Sequence, residues 1–112
     1  MSDCLFCKIA AGEIPADIVY QDDVCLAFRD IHPAAPQHLL LIPRRHLATM
    51  NDLDDAALAG HLLTVVPRLA RQLGIADGGY RTVVNCNADA GQEVFHLHVH
   101  LLGGRRLSWP PG

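Results

Sequence analysis

The chain has 112 residues, of which 50% are hydrophobic and 19% charged, with a formal net charge of −3. A single domain spanning 1–112 is the expectation, since domains typically run about 100–150 residues and no room is left for a second catalytic unit. The slightly acidic balance argues against a nonspecific nucleic-acid binder, and the longest apolar stretches, Leu39–Ile42 and Leu62–Val66, fall far short of the ~20 residues a membrane helix needs.

In chain order, Cys4 to Gly12 predicts a short helix that ends before Ile14-Pro15. Two β-favouring runs follow, Ile18-Val19-Tyr20 and Val24 to Phe28, joined as a hairpin by Gln21-Asp22-Asp23. Asp30 to Pro36 reads as a loop, and Leu39 to Ile42, closed by Pro43, as a third strand. From Leu58, the recurrence of Leu62, Val65, Leu69 and Leu73 predicts the main helix, with Asn51 or Asp52 as its cap and Gly74 after its end. Pro67 inside it is expected to kink or loosen one turn. Arg81 to Cys86 and Phe95 to Leu102 read as two last strands around the turn Asn87 to Gly91. The order predicts an α+β fold, a five-stranded antiparallel sheet with the long helix on one face and the other face solvated or buried in a partner.

Seven histidines are the unusual count. His96, His98 and His100 alternate with Leu97, Val99 and Leu101, and in a strand such alternate side chains share a face about 6.8 Å apart. The pattern suits two chemistries: three imidazoles on one metal with an open water position, or one nucleophilic imidazole held by its neighbours. Periodicity does not separate them. Asn85, Gly91 and Gln92 lie just upstream, and a glycine there lets backbone amides approach an anion, which favours a phosphate.

His96-Leu97-His98-Val99-His100-Leu101-Leu102 resembles the histidine triad signature of the HIT nucleotide hydrolases and transferases. Asn85, Gly91-Gln92, Ala27 to Ile31 and Ile42 to His46 carry the same resemblance, while Gly103-Gly104-Arg105 and Trp109-Pro110-Pro111-Gly112 are similar to the Hint-like purine nucleoside phosphoramidase branch. The resemblance implies a hydrolase that cleaves the P–N bond of purine nucleoside 5′-phosphoramidates, with His98 as nucleophile. His100 and the Gln92 region would hold phosphate oxygens, Asn85 the phosphate or ribose side, and His38 would orient or relay protons. Asp30 would accept from the ribose hydroxyls, with Ile31, Phe28, Leu26 and Val94 around the base. Glu93 stands where phosphoramidases of this type carry Ser or Thr, so its carboxyl would assist the departing amine when protonated and repel a phosphate when ionised. Glu93 also keeps open a second reading, a zinc-stabilised nucleotide-binding or regulatory protein with vestigial hydrolysis.

Cys4 and Cys7 have the two-residue spacing of a zinc knuckle, and two cysteines need two further ligands. Relatives with this pair imply His46 and His96 as those ligands of a structural zinc, with no catalytic metal; two buried free thiols are the alternative. Met1-Ser2-Asp3-Cys4 lacks the basic and apolar regions of a secretory leader, so a reducing, cytoplasmic setting without disulfides is expected. Cys25 and Cys86 are expected in core strands, and His32 and His61 as exposed or capping residues without a role. The resemblance further implies a homodimer, with Trp109 on a C-terminal arm reaching the partner's site.

Overall fold

Helix α1 (Leu5–Ala10) is capped by Cys4, whose Sγ accepts the Cys7 amide, and is stopped by Gly12 at φ +77°. The computed structural model describes residues 3–112; Met1 and Ser2, which precede the helix predicted from Cys4 to Gly12, lie outside the described residues. Strands β1 (Ile18–Gln21), β2 (Cys25–Arg29), β3 (Gln37–Pro43), β4 (Tyr80–Val83) and β5 (Val99–Gly103) form one antiparallel sheet in the order β1-β2-β3-β5-β4. Helix α2 (Ala56–Gln72) lies between β3 and β4 in the chain.

The pleat divides the core in two. Cys25, Ala27, Leu39, Leu41, Val99 and Leu101 pack with the buried stripe of α2, which runs Leu58, Leu62, Val65, Val66 and Leu69. On the opposite face Leu26, Phe28, Leu40 and Ile42 meet Phe6 and Ile9 of α1. The second face is thus covered in part by the chain's own short helix, where the sequence predicted only solvent or a partner. Six residues of helix carry too little periodic signal to announce a covering layer.

Several boundaries differ from the prediction. Asp55 caps α2 by accepting the amides of Ala57 and Leu58, while Asn51 and Asp52 belong to a separate 3-10 turn, Met50–Asp52, capped by Thr49. The helix continues through Pro67, whose missing amide faces the carbonyl of exposed Leu63 and so deprives no buried group. Strand β4 ends at Val83, leaving Cys86 half-buried outside the sheet and not in a core strand. Regular pairing of β5 starts only at Val99, so His96 and His98 precede the ladder on a segment held by the Leu97 amide donating to the Leu47 carbonyl at 2.6 Å. The alternation survives that change: Leu97 joins the core under α2, and Phe6 on the other face contacts both His96 and His98.

Candidate active site

A cavity of about 670 Å³ opens on the α1 face of the sheet. Phe28, Asp30 and Ile31 line it from the end of β2, Gly91 to Val94 from the loop before the triad, and His98 and His100 from the triad itself. Asn85 completes the polar wall. Ile31 is 86% exposed, an apolar side chain left open at the cavity wall.

Hydrogen-bond partners assign the imidazole tautomers. The Ala34 amide donates to His38 Nδ1 at 3.0 Å, which puts the His38 proton on Nε2. That Nε2 lies 2.9 Å from His100 Nδ1 and 3.5 Å from Asp30 Oδ2. With Nδ1 accepting, His100 carries its own proton on Nε2 as a donor. His98 Nδ1 donates to the His96 carbonyl at 2.7 Å, leaving the His98 Nε2 lone pair bare, and the His98 and His100 rings stand 5.0 Å apart. Burial, with the neighbouring His98 and His38 adding to it, pushes the His100 pKa down to about 4. Burial also lowers His38, outweighing the pull of Asp30. The site therefore places the His98 Nε2 lone pair beside the Nε2–H donor of His100.

The approach loop is held by Gln92. Its Oε1 accepts the Asn87 amide at 2.8 Å, and its Nε2 donates to the carbonyls of Ala48 and Val94 at 2.9 and 3.1 Å. Its side-chain donors are thereby committed, so Gln92 shapes the loop instead of offering them to the cavity. Gly91 adopts φ +78°, a conformation that costs a side-chain-bearing residue, and ends the 3-10 turn Ala88–Ala90. Glu93 is exposed and lines the cavity without an ion-pair partner among the described residues. Leu26 lies in the core beneath the wall, and Trp109 stands by Arg81 of edge strand β4, 5.8 Å from guanidinium to ring; neither lines this cavity.

Cys4, Cys7, His46 and His96 converge, with one ligand atom from each within 4.8 Å of all the others. His96 Nδ1 is 3.3 Å from Cys4 Sγ, 3.5 Å from Cys7 Sγ and 3.2 Å from His46 Nδ1, and Cys7 Sγ is 3.3 Å from His46 Nδ1. Donors about 2.0–2.3 Å from a tetrahedral ion stand about 3.3–3.8 Å from one another, so the spacing and the donor set fit a metal ion. The His96 tautomer fits too, because Nε2 donates to the Pro43 carbonyl at 2.8 Å and frees Nδ1 for a ligand role. Among the described residues, the three triad imidazoles form no such convergent group, since His96 Nδ1 points to the cysteines while His98 Nδ1 is bound to backbone.

Residues 11–107 match the HIT domain family. The chain belongs to that family. It is 54% identical over 112 residues to an uncharacterised HIT-like protein of Synechococcus elongatus, covering 98% of this chain and 97% of that one. It is 50% identical over 107 residues to the purine nucleoside phosphoramidase of Escherichia coli, covering 94% of this chain and 90% of that one. Among solved structures, a HIT family hydrolase of Legionella pneumophila superposes with a TM-score of 0.95 at 55% identity, covering 97% of this chain and 99% of that one. A histidine triad protein of Clostridium difficile gives 0.93 at 44% identity, with 96% of each chain covered. These relatives support a hydrolase with a nucleotide-derived substrate.

Two features of this HIT chain are invisible in the triad motif. Phe6 of α1 lines the cavity and packs edge-on against His98, ring centroids 5.2 Å apart. Spacing within the motif carries no sign of it, because the contact joins opposite ends of the chain. His61 is also not idle: its Nε2 pairs with Asp22 Oδ2 at 2.8 Å, tying the β1–β2 turn to α2. Asp22 further accepts the Tyr20 hydroxyl and the amides of Val24 and Cys25. Burial opposes the Asp22 charge, yet these donors outweigh it and hold the carboxyl well below the usual carboxylate range.

Proposed function

We propose that this HIT protein hydrolyses the P–N bond of purine nucleoside 5′-phosphoramidates. The observation that carries the reading is the His98 tautomer: Nδ1–H spent on the His96 carbonyl, Nε2 bare, and the ring in the wall of a cavity that offers a carboxylate at Asp30 and apolar surface at Phe28 and Ile31. Nε2 attacks the α-phosphorus, a P–Nε2 bond forms, and the P–N bond to the amine breaks. The departing amine takes up a proton as it leaves, passed through the carboxyl of Glu93 in the cavity wall. Water then attacks phosphorus and returns a proton to the Glu93 carboxyl, the P–Nε2 bond breaks, and the nucleoside monophosphate leaves. His100 Nε2–H donates to a phosphate oxygen through both steps, and the His38-to-His100 hydrogen bond keeps that proton pointed outward. Asp30 takes the ribose hydroxyls, Asn85 the phosphate or ribose side, and Val94 flanks the base.

Cys4, Cys7, His46 and His96 hold a zinc ion in this reading, which supplies a structural clamp and takes no part in the reaction. Two chains pair into a homodimer, and Trp109 serves the partner's site. Incubation with adenosine 5′-phosphoramidate tests the activity: AMP is released by the wild type and not by His98→Asn. Equal rates for the two proteins refute the role of His98. Sedimentation tests the dimer, and a monomer at micromolar concentration excludes it.

A further inference from the structure

We infer that the Cys4/Cys7/His46/His96 cluster sets the orientation of the His98 ring, through His96 on one side and Phe6 on the other. The inference rests on the reading of His98 as nucleophile and adds how the ring is held. Two connections leave the cluster. His96 binds it by the side chain, while the carbonyl of the same residue accepts the His98 Nδ1–H at 2.7 Å. Phe6 sits between Cys4 and Cys7 in sequence, and its ring meets His98 at 5.2 Å and 86° and His96 at 6.0 Å and 65°. The ring of His98 is therefore clamped at one edge by a carbonyl and on another side by an aromatic, and both clamps are tethered to the same four donors.

Helix α1 is held by apolar packing and by the cluster together. A helix of six residues is unstable in water by itself, since nucleation outweighs its few internal hydrogen bonds. Its place depends on Phe6 and Ile9 in the core, on Arg44 reaching the Ala10 carbonyl at 3.0 Å, and on the two cysteines. An ion joining Cys4 and Cys7 to His46 and His96 fixes α1 against the segment that carries the triad. Without it, four donors within 4.8 Å of one another lack a common partner, and α1 and the His96 carbonyl each lose one restraint, leaving α1 to its apolar packing and the His96 segment to its bonds with the Pro43 and Leu47 carbonyls. Phe6 is accordingly a positioning residue and not a catalytic one.

The test compares wild type, Phe6→Leu and Cys7→Ser after loading with zinc ion alone, and wild type after chelation. Metal content, the His98 imidazole signals in 15N-resolved NMR, and kcat and KM for adenosine 5′-phosphoramidate are measured on each. Zinc-loaded wild type is expected to show a His98 Nδ1–H signal slow to exchange, and chelation or Cys7→Ser to abolish it while the sheet amide signals persist. Phe6→Leu keeps its zinc, and its kcat falls about tenfold with KM within about threefold, the signature of a misplaced reacting group. A wild type that binds no zinc, a His98 signal unchanged by chelation, or an unchanged kcat in zinc-loaded Phe6→Leu overturns the inference. If chelation unfolds the chain, the folded Phe6→Leu protein decides. Absence of turnover in wild type refutes the proposed hydrolysis alone, because the NMR signal still reports whether the cluster orients His98.

Discussion

Acidification from pH 7 to pH 5 provides the most quantitative check on the site. His100 has its pKa pushed from the ordinary 6.5 down to about 4, first by burial and then by the neighbouring His98 and His38. A depressed histidine favours the neutral form in the folded state. Its stabilising contribution is complete above the unfolded value of 6.5 and is lost as pH falls toward 4. Between pH 7 and pH 5 the unfolded imidazole becomes largely protonated while the folded one stays neutral. Proton linkage over that interval gives a loss of about 2 kcal/mol from this residue. His38, lowered by burial against the pull of Asp30, changes in the same direction. Urea unfolding at pH 7, 6 and 5 measures the total, and the same series on His100→Asn removes the titrating group while other acid-sensitive groups remain. Wild type is expected to lose about 2 kcal/mol more than the variant across the interval. Parallel pH dependences for the two proteins would show that His100 is not held neutral by its surroundings.

Three further outcomes follow from the packing. Asp22→Ala strips the acceptor from the Tyr20 hydroxyl, the Val24 and Cys25 amides and His61, and is expected to cost about 2–3 kcal/mol in urea unfolding; a loss within experimental error contradicts the network. Cys25, fully buried, has its thiol pushed up to about 12 by burial and by the Asp22 charge, so it is expected to resist alkylation in the native protein while half-buried Cys86 reacts. Peptide mass spectrometry reads both sites, and equal labelling rates refute the shielding. Gly104→Ala forces φ +94° on a residue with a Cβ, which would lie 2.9 Å from Pro36 Cβ, and is expected to destabilise by about 2 kcal/mol. Gly78→Ala, with open space around the added methyl and no positive φ, is the control, and equal stability of the two variants refutes the strain.

Much of the layout is legible in the chain. The stripe from Leu58 to Leu69 announces the one long helix, and the Asp22 turn announces the hairpin, because both signals lie within a few neighbouring residues. Boundaries differ from the reading where long-range pairing decides them. Phe95 to His98 alternates like a strand, yet β5 pairs only from Val99, because β4 ends at Val83 opposite His100 and the β3 register stops at Leu41 opposite Val99. Asn51 and Asp52 look like helix caps, but Asp55 lies nearer the first buried residue, Leu58, and takes that role.

By itself the sequence determined the fold class, the alternation that sorts aliphatics from imidazoles across the sheet, and the residue types gathered around the site, for these follow from period and composition. Only the tertiary structure decided which nitrogen carries the proton in His38, His96, His98 and His100. That assignment depends on the Ala34 amide for His38, the His38 ring for His100 and the Pro43 carbonyl for His96, the last two brought from a strand distant in the chain. Tertiary structure also decided that Phe6 meets His98, and that Trp109 rests beside Arg81 away from the cavity. A motif names the reactive groups, but the direction of a hydrogen bond is set by whichever partner the fold brings within reach.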